Sequence, residues 1–340
     1  MSETYSWVQM LEDFRQLGGI ASNVEQRVGP FGNGIFPIDA AQPIAIEVPA
    51  CLLVDADQLI LDGEALVVNP NAEVPAEVRE FVARYQKHFS WGADGRKNVD
   101  AFESSLKTLP APLLQRLNQH RILNLAVRHK GPWIEVLRQH FLQSRRINYH
   151  DCKVSMPIIE LINHSPKSPG YLINDGIKIQ GTFADEVTVN YSPTSDSLLR
   201  FLTYGFANQE PSAYSLPMHL KLNDGSTIHV GYDGGSINVV DKLPLPKVET
   251  EGKRRKLSHL RLGIERAPRM PRTLLRKALP DLPAPAADEI FDRIRNANQL
   301  ALCNLLELAE GVDTPIGKAF RQAILYQMKA MTHCFGVRPD

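Results

Sequence analysis

Cysteine is scarce in this chain: four residues in 340, at positions 51, 152, 303 and 334, with no CxxC pair. That spacing offers neither a disulfide scaffold nor a zinc cluster, so free buried thiols are expected. Net charge is lacking too. Lys plus Arg and Asp plus Glu each total 38, which leaves no broad field to attract nucleic acid or anionic lipid. One local basic cluster, Lys253-Arg-Arg-Lys256, reads as a solvated loop. No apolar run approaches the ~18–20 residues that span a bilayer. The first residues carry Glu3, Glu12 and Asp13 where a leader would be basic and then apolar. The expectation is a cytoplasmic protein that touches neither membrane nor nucleic acid. Internal repeats and low-complexity tracts are missing, and no Gly-x-Ser-x-Gly elbow supports a serine hydrolase.

What is present is an ordinary globular composition, 43% hydrophobic and 22% charged, long enough for two domains. Trp7, Leu11, Phe14 and Leu17 recur at helical spacing, and Gly18-Gly19 stops that helix. Ile44–Pro49 and Cys51–Val54 read as short strands. Between them and the helix, Phe31-Gly-Asn-Gly-Ile-Phe36 reads as a hairpin turn. It is not a dinucleotide loop, because a β-type run and not a helix follows. Residues 75–150 read as helical, with Asp100 to Glu103 spaced as a capping box. Met156–His164 is a buried apolar run ending in Asn-His; Val187–Tyr191 is a β run ending in tyrosine, and Tyr204 follows 13 residues later. Asp224-Gly225 between two alternating runs predicts a hairpin. A second turn at Asp233-Gly-Gly235 leads into a strand at 236–240. Pro244, Pro246 and the basic cluster mark a linker at 243–256, beyond which the chain reads as helical, with Thr314-Pro315 opening the last helix.

Taken singly, these features have plain explanations. A strand-end tyrosine is usually a core residue. His164 has no second ligand at metal spacing, and no metal is expected. His219 and His229 lie on opposite arms of a hairpin and can pair. Trp91–Gly95 is most simply a turn.

Four motifs in order carry more. Phe31–Phe36 with Ile44–Pro49, then Ile159-Glu-Leu-Ile-Asn-His-Ser165, then Ala184-Asp-Glu-Val-Thr-Val-Asn-Tyr191, then Tyr204-Gly-Phe206 resemble the SET-domain methyltransferases. The long helical insert and helical C-terminal region are similar to the subfamily of the Rubisco large-subunit lysine methyltransferase and the actin-histidine methyltransferase. The resemblance implies an α+β fold of short β-sheets with a pseudoknot. It implies an N-terminal SET part at 1–60, a helical insert at 61–145, a C-terminal SET part with its hairpins at 146–242, and a helical substrate-docking domain at 243–340.

It implies S-adenosyl-L-methionine as methyl donor and a lysine of a protein substrate as acceptor. A histidine acceptor, or a non-catalytic interaction module, is the alternative. Phe31 and Asn33 would lie along the donor, Asn163 at its amino-acid end, and the His164 backbone at its adenine. Ser144 and Arg145 match the family's Ser-Arg, a guanidinium suiting a carboxylate. Glu160 stands where the family often has Asp. Phe206 would pack beside the donor, Tyr204 would be the catalytic hydroxyl, and Tyr191 and Tyr214 would line the acceptor channel.

Overall fold

The computed structural model describes residues 5–123, 130–192, 195–222, 224–232 and 245–332. The chain divides into two compact units, Met1–Glu103 with Gly131–Pro193 and Ser104–Lys130 with Thr194–Asp340. Both mix helices with short sheets, so the class is α+β as expected. Among the described residues, no helix is long and apolar enough to cross a membrane.

The first unit begins with the helix Trp7–Gln16. Ser6 and Gln9 cap it reciprocally: the Ser6 N–H donates to Gln9 Oε1 at 2.8 Å and the Gln9 N–H to Ser6 Oγ at 3.3 Å. Its strands are β1 (Ile20–Ser22), β2 (Val24–Gly29), β3 (Gly32–Pro37), β4 (Ile44–Pro49), β5 (Leu59–Asp62), β6 (Ala65–Val68), β7 (Arg146–Tyr149), β8 (Cys152–Ser155), β9 (Asn163–His164), β10 (Leu172–Ile173), β11 (Gly176–Gly181) and β12 (Thr188–Val189). The main sheet runs β1-β4-β11-β10, antiparallel throughout. Strand β4 alternates: Ile44, Ile46 and Val48 are buried, and their neighbours are not. The helix Ala76–His88 buries Val78, Phe81, Val82 and Tyr85 and packs on β6. Each such side chain contributes about 1.5–3 kcal/mol.

The hairpins β2/β3, β5/β6 and β7/β8 and the parallel pair β9/β12 complete this unit. Strand β12 ends at Val189, two residues short of Tyr191. The β5/β6 hairpin occupies the start of the stretch expected to be helical, and helix begins only at Ala76. Asp100 and Glu103 do not form a capping box. Both lie inside the helix Arg96–Leu106, where Asp100 accepts from the Trp133 indole at 2.8 Å and Glu103 is buried against His140 at 2.5 Å. Tertiary partners claimed these polar groups before any helix terminus did.

The second unit holds β13 (Ser212–Tyr214), β14 (Met218–Lys221), β15 (Thr227–Val230), β16 (Val248–Glu251), β17 (Arg254–Leu257) and β18 (Arg261–Ile264). The order is β14-β15-β17-β16, with β13/β18 paired separately. The expected linker at 243–256 is corrected here. Its second half is the β16/β17 hairpin, turning at Gly252 with φ +58. Residues 254–256 of the basic cluster are therefore strand: Lys256 pairs with Glu249 at 3.1 Å, and Arg255 pairs with Asp281. Alternation of Arg, Lys and Leu was masked by the charge run. The helices Met270–Ala278, Ala284–Leu308 and Pro315–Thr332 follow β18, and Ala111–Gln119 packs on Ala284–Leu308. The expected strand at 236–240 lies outside the described residues, as does Val127.

Candidate functional site

The site in the first unit begins with the β2/β3 hairpin. Gly29 and Gly32 face each other, leaving Pro30 and Phe31 as the turn. Phe31 stands at the tip, 70% exposed. Asn33 follows, and its Nδ2 donates to Asp94 Oδ2 at 2.5 Å. Asp94 belongs to the tight Trp91–Gly95 turn between the helices Ala76–His88 and Arg96–Leu106. A Cβ at Gly92 would lie 2.4 Å from the Lys87 carbonyl, so that turn needs glycine.

The Asn-His segment arrives from a strained backbone. Ile158 has φ 67 and ψ −52, and the Ile159 N–H bonds the Pro157 carbonyl at 2.8 Å. This is a three-residue γ-turn of the unfavourable hand, at a β-branched residue. The Tyr85 hydroxyl accepts from the Ile158 N–H at 3.0 Å and helps to hold it. The one-turn helix Ile159–Leu161 then delivers β9, whose Asn163 and His164 pair in parallel with Thr188 and Val189. The Val187 N–H bonds the Ile35 carbonyl at 2.8 Å and ties the approach to β12 onto β3.

Two polar clusters result. In one, Asn163 Nδ2 donates to the Asn33 carbonyl at 3.2 Å and to Glu186 Oε1 at 2.5 Å. Gly34 makes room: a Cβ there would come 2.3 Å from Glu186 Oε1 and 3.0 Å from Asn163 Nδ2. In the other, Glu160 accepts from the Ser90 hydroxyl and lies by Tyr85, Gln86 and Arg145. Arg145 lies 4.3 Å over the Phe141 ring and donates to Ser144 Oγ at 3.0 Å, while Ser144 donates to the Phe141 carbonyl at 2.9 Å.

Burial raises the Glu160 carboxyl above its ordinary range, opposed by Arg145 and by its hydrogen bonds. It raises Glu186 as well, with Asn163 opposing and Asp185 adding to the rise. The Oε2 atoms of both carboxylates are buried with no hydrogen-bond partner in the protein. Buried polar atoms are nearly always paired, so these two oxygens stand out as acceptors left open within the motif segments.

His164 is 8% exposed, and its Nδ1 accepts from the Tyr191 N–H at 3.2 Å. The Tyr191 hydroxyl donates to the Ile162 carbonyl at 2.7 Å. Among the described residues, no group of three His, Cys, Asp or Glu can hold a metal.

The remaining predicted residues belong to the second unit. Asp196 caps the helix Ser197–Tyr204, and Gly205, at φ 82, ends it. That places Tyr204 on the last turn, with Phe206 36% exposed beside it and ring centres 5.8 Å apart. Arg200, one turn earlier, lies 5.4 Å from the Tyr204 ring centre. Tyr214 is only 3% exposed; its hydroxyl accepts from Arg261 Nε at 2.7 Å. Burial raises this phenol, with Arg261 opposing.

Of the predicted residues, the structure brings Asn33 to Asn163, Arg145 to Glu160 with Ser144 against Arg145, and His164 to Tyr191. Phe31 projects away at the hairpin tip, and Tyr204, Phe206 and Tyr214 lie in the other unit. Sequence reasoning passed over Glu186, Asp94, Ser90 and Tyr85. Glu186 stood inside the acidic turn before β12, a visible signal. Nothing in the sequence distinguished Asp94 from a turn residue or Tyr85 from a core aromatic.

No family model and no curated protein matches the chain. Among solved structures, it is similar to the SET domain of LSMT bound to methyllysine and AdoHcy. The two share 14% identity over 97% of this chain and 90% of that one, with a TM-score of 0.45. The same domain bound to lysine and AdoHcy gives 13% identity over 98% and 92%, with a TM-score of 0.39.

Proposed function

We propose that the chain is an S-adenosylmethionine-dependent N-methyltransferase acting on a lysine side chain of a protein substrate. One observation carries this reading. Segments far apart in sequence, at 33–34, 144–145, 160–163 and 186, close into two polar clusters whose carboxylates keep unpartnered oxygens. These are the segments that carry the SET-like motifs. The donor's amino-acid end bears one carboxylate and one ammonium, and the clusters offer a group for each. Arg145, braced on Phe141 and Ser144, suits the carboxylate. Asn163 and the Asn33 carbonyl suit the ammonium. The His164 backbone serves the adenine.

When bound, the donor supplies a methyl group on a sulfonium with a good leaving group. The lysine must arrive neutral, and desolvation beside the sulfonium lowers its pKa. Its nitrogen lone pair attacks the methyl carbon in line. The C–S bond breaks with its electron pair passing to sulfur, and the proton on nitrogen is lost to solvent. The protein supplies position and polarity, with no metal. Tyr204 orients the nucleophile through its hydroxyl. Tyr191, whose hydroxyl is engaged by the Ile162 carbonyl, contributes a ring face to the acceptor path. The C-terminal helices dock the protein substrate, the compartment is the cytoplasm, and neither nucleic acid nor membrane takes part.

The test uses tritiated S-adenosylmethionine with a cell extract, followed by mass spectrometry of the labelled protein. Methyllysine is expected. Methylhistidine would move the acceptor class, and absence of donor binding by calorimetry would leave an interaction module. Tyr204→Phe should lower turnover about 100-fold or more, the usual cost of losing one positioned donor, while leaving donor affinity intact. Unchanged turnover would refute the role of Tyr204.

A further inference from the structure

We infer that Glu186 is a positioning residue for donor binding: it fixes which edge of the Asn163 amide a ligand meets, and so selects a ligand bearing a protonated amine. The inference rests on the methyltransferase reading and goes beyond it. A carboxamide has two N–H donors on one side and one carbonyl acceptor on the other. Asn163 Nδ2 faces two acceptor oxygens, Glu186 Oε1 at 2.5 Å and the Asn33 carbonyl at 3.2 Å. The nitrogen is therefore required on that side, and both N–H groups are used. What Asn163 has left to offer is Oδ1, an acceptor. An acceptor welcomes the ammonium of an amino acid and rejects its carboxylate.

Glu186 is the stronger of the two restraints, because a hydrogen bond to a charged acceptor is roughly twice as strong as one to a neutral carbonyl. Its own place is fixed from three sides. The next residue, Val187, is tied by its N–H to the Ile35 carbonyl at 2.8 Å. The missing side chain of Gly34 leaves the space Oε1 occupies, and a Cβ on Gly29 would lie 3.4 Å from Oε2. Remove the carboxylate and one amide proton is orphaned, and the amide is free to turn its nitrogen outward, where it would meet an ammonium as one donor meets another.

Calorimetry with two probes tests this. S-adenosylhomocysteine carries the amino-acid end; 5′-methylthioadenosine lacks it. Glu186→Leu should weaken the first about tenfold or more and leave the second unchanged, the expected scale for one charge-assisted hydrogen bond. Glu186→Gln keeps an acceptor oxygen and should stay within about threefold of the parent for both. Should the leucine variant fail to fold, Gly34→Ala takes its place. Its Cβ would push the carboxylate off the amide and should give the same selective loss. Equal weakening of both probes would mean that Glu186 only supports the fold, and no weakening would mean that Asn163 is oriented without it; either overturns the inference. A parent protein that binds neither probe would instead overturn the methyltransferase reading and the inference with it.

Discussion

Each unit buries a carboxylate that burial pushes up, and the two are treated differently. In the second unit, Asp196 is saturated. It accepts from the Leu199 N–H at 2.8 Å, the Tyr214 N–H at 3.0 Å, the Tyr232 hydroxyl at 3.0 Å and the Gln327 amide at 2.7 Å. Nearby, Arg200 and Glu210 form a fully buried ion pair at 3.1 Å. In the first unit, Glu160 and Glu186 each keep an oxygen with no partner in the protein. That unit also contains Ile158, the one β-branched residue at positive φ among the described residues. A saturated carboxylate holds a fold together. One with an oxygen left over keeps an acceptor in reserve.

That contrast can be broken most directly in the second unit. Arg200→Met removes the guanidinium that faces the buried Glu210 carboxylate, and should cost about 3–5 kcal/mol of unfolding free energy. Arg200→Met with Glu210→Leu should recover most of the loss. Urea denaturation of both reads the result, and a mild single variant would deny that this polar pair is structural.

A smaller effect is expected at Glu160. Its folded pKa is raised above the ordinary 4.5. The stability it contributes is therefore complete below about 4.5 and lost as pH rises through the folded value. Glu160→Gln carries no charge, so its melting temperature should gain on the parent between pH 4.5 and pH 8. A difference that shrinks with rising pH would deny that burial holds the Glu160 carboxyl above its ordinary range.

The smallest effect concerns the exposed imidazole pair on β14 and β15. His219 and His229 are opposite in register, 3.3 Å apart, and Arg254 donates to His229 Nδ1 at 3.1 Å. Desolvation, then His219 and Arg254, lower His229 below its ordinary 6.5. Its contribution is present above pH 6.5 and is lost as pH falls through the folded value. His229→Gln should flatten the acid limb of a pH–stability profile, and an unchanged limb would assign acid sensitivity elsewhere.

Sequence patterns were most reliable where one physical rule decides locally. The spacing of Trp7, Leu11 and Phe14 gives an amphipathic helix wherever it sits, and the alternation of Ile44, Ile46 and Val48 gives a half-buried strand. The pattern failed where a distant partner changed the outcome. Asp100 and Glu103 looked like a cap and became ligands of Trp133 and His140. Residues 243–256 looked like a linker, and residues 254–256 became strand, because β15 and β16 flank them. In the candidate site, Asn33, Arg145, Glu160 and Asn163 were legible as motif residues; Glu186 was visible only as part of an acidic turn, and Ser90 had no signal of its own.

Short strands and helices were legible from neighbours a few residues away, and the zero net charge and the order of the motifs from the chain as written. Which carboxylate oxygens are satisfied was settled by folding alone. Asn163 and Asn33 are separated by 130 positions and Glu160 and Ser90 by 70, and hydrogen-bond saturation is a property of the space around an atom, which no run of sequence contains.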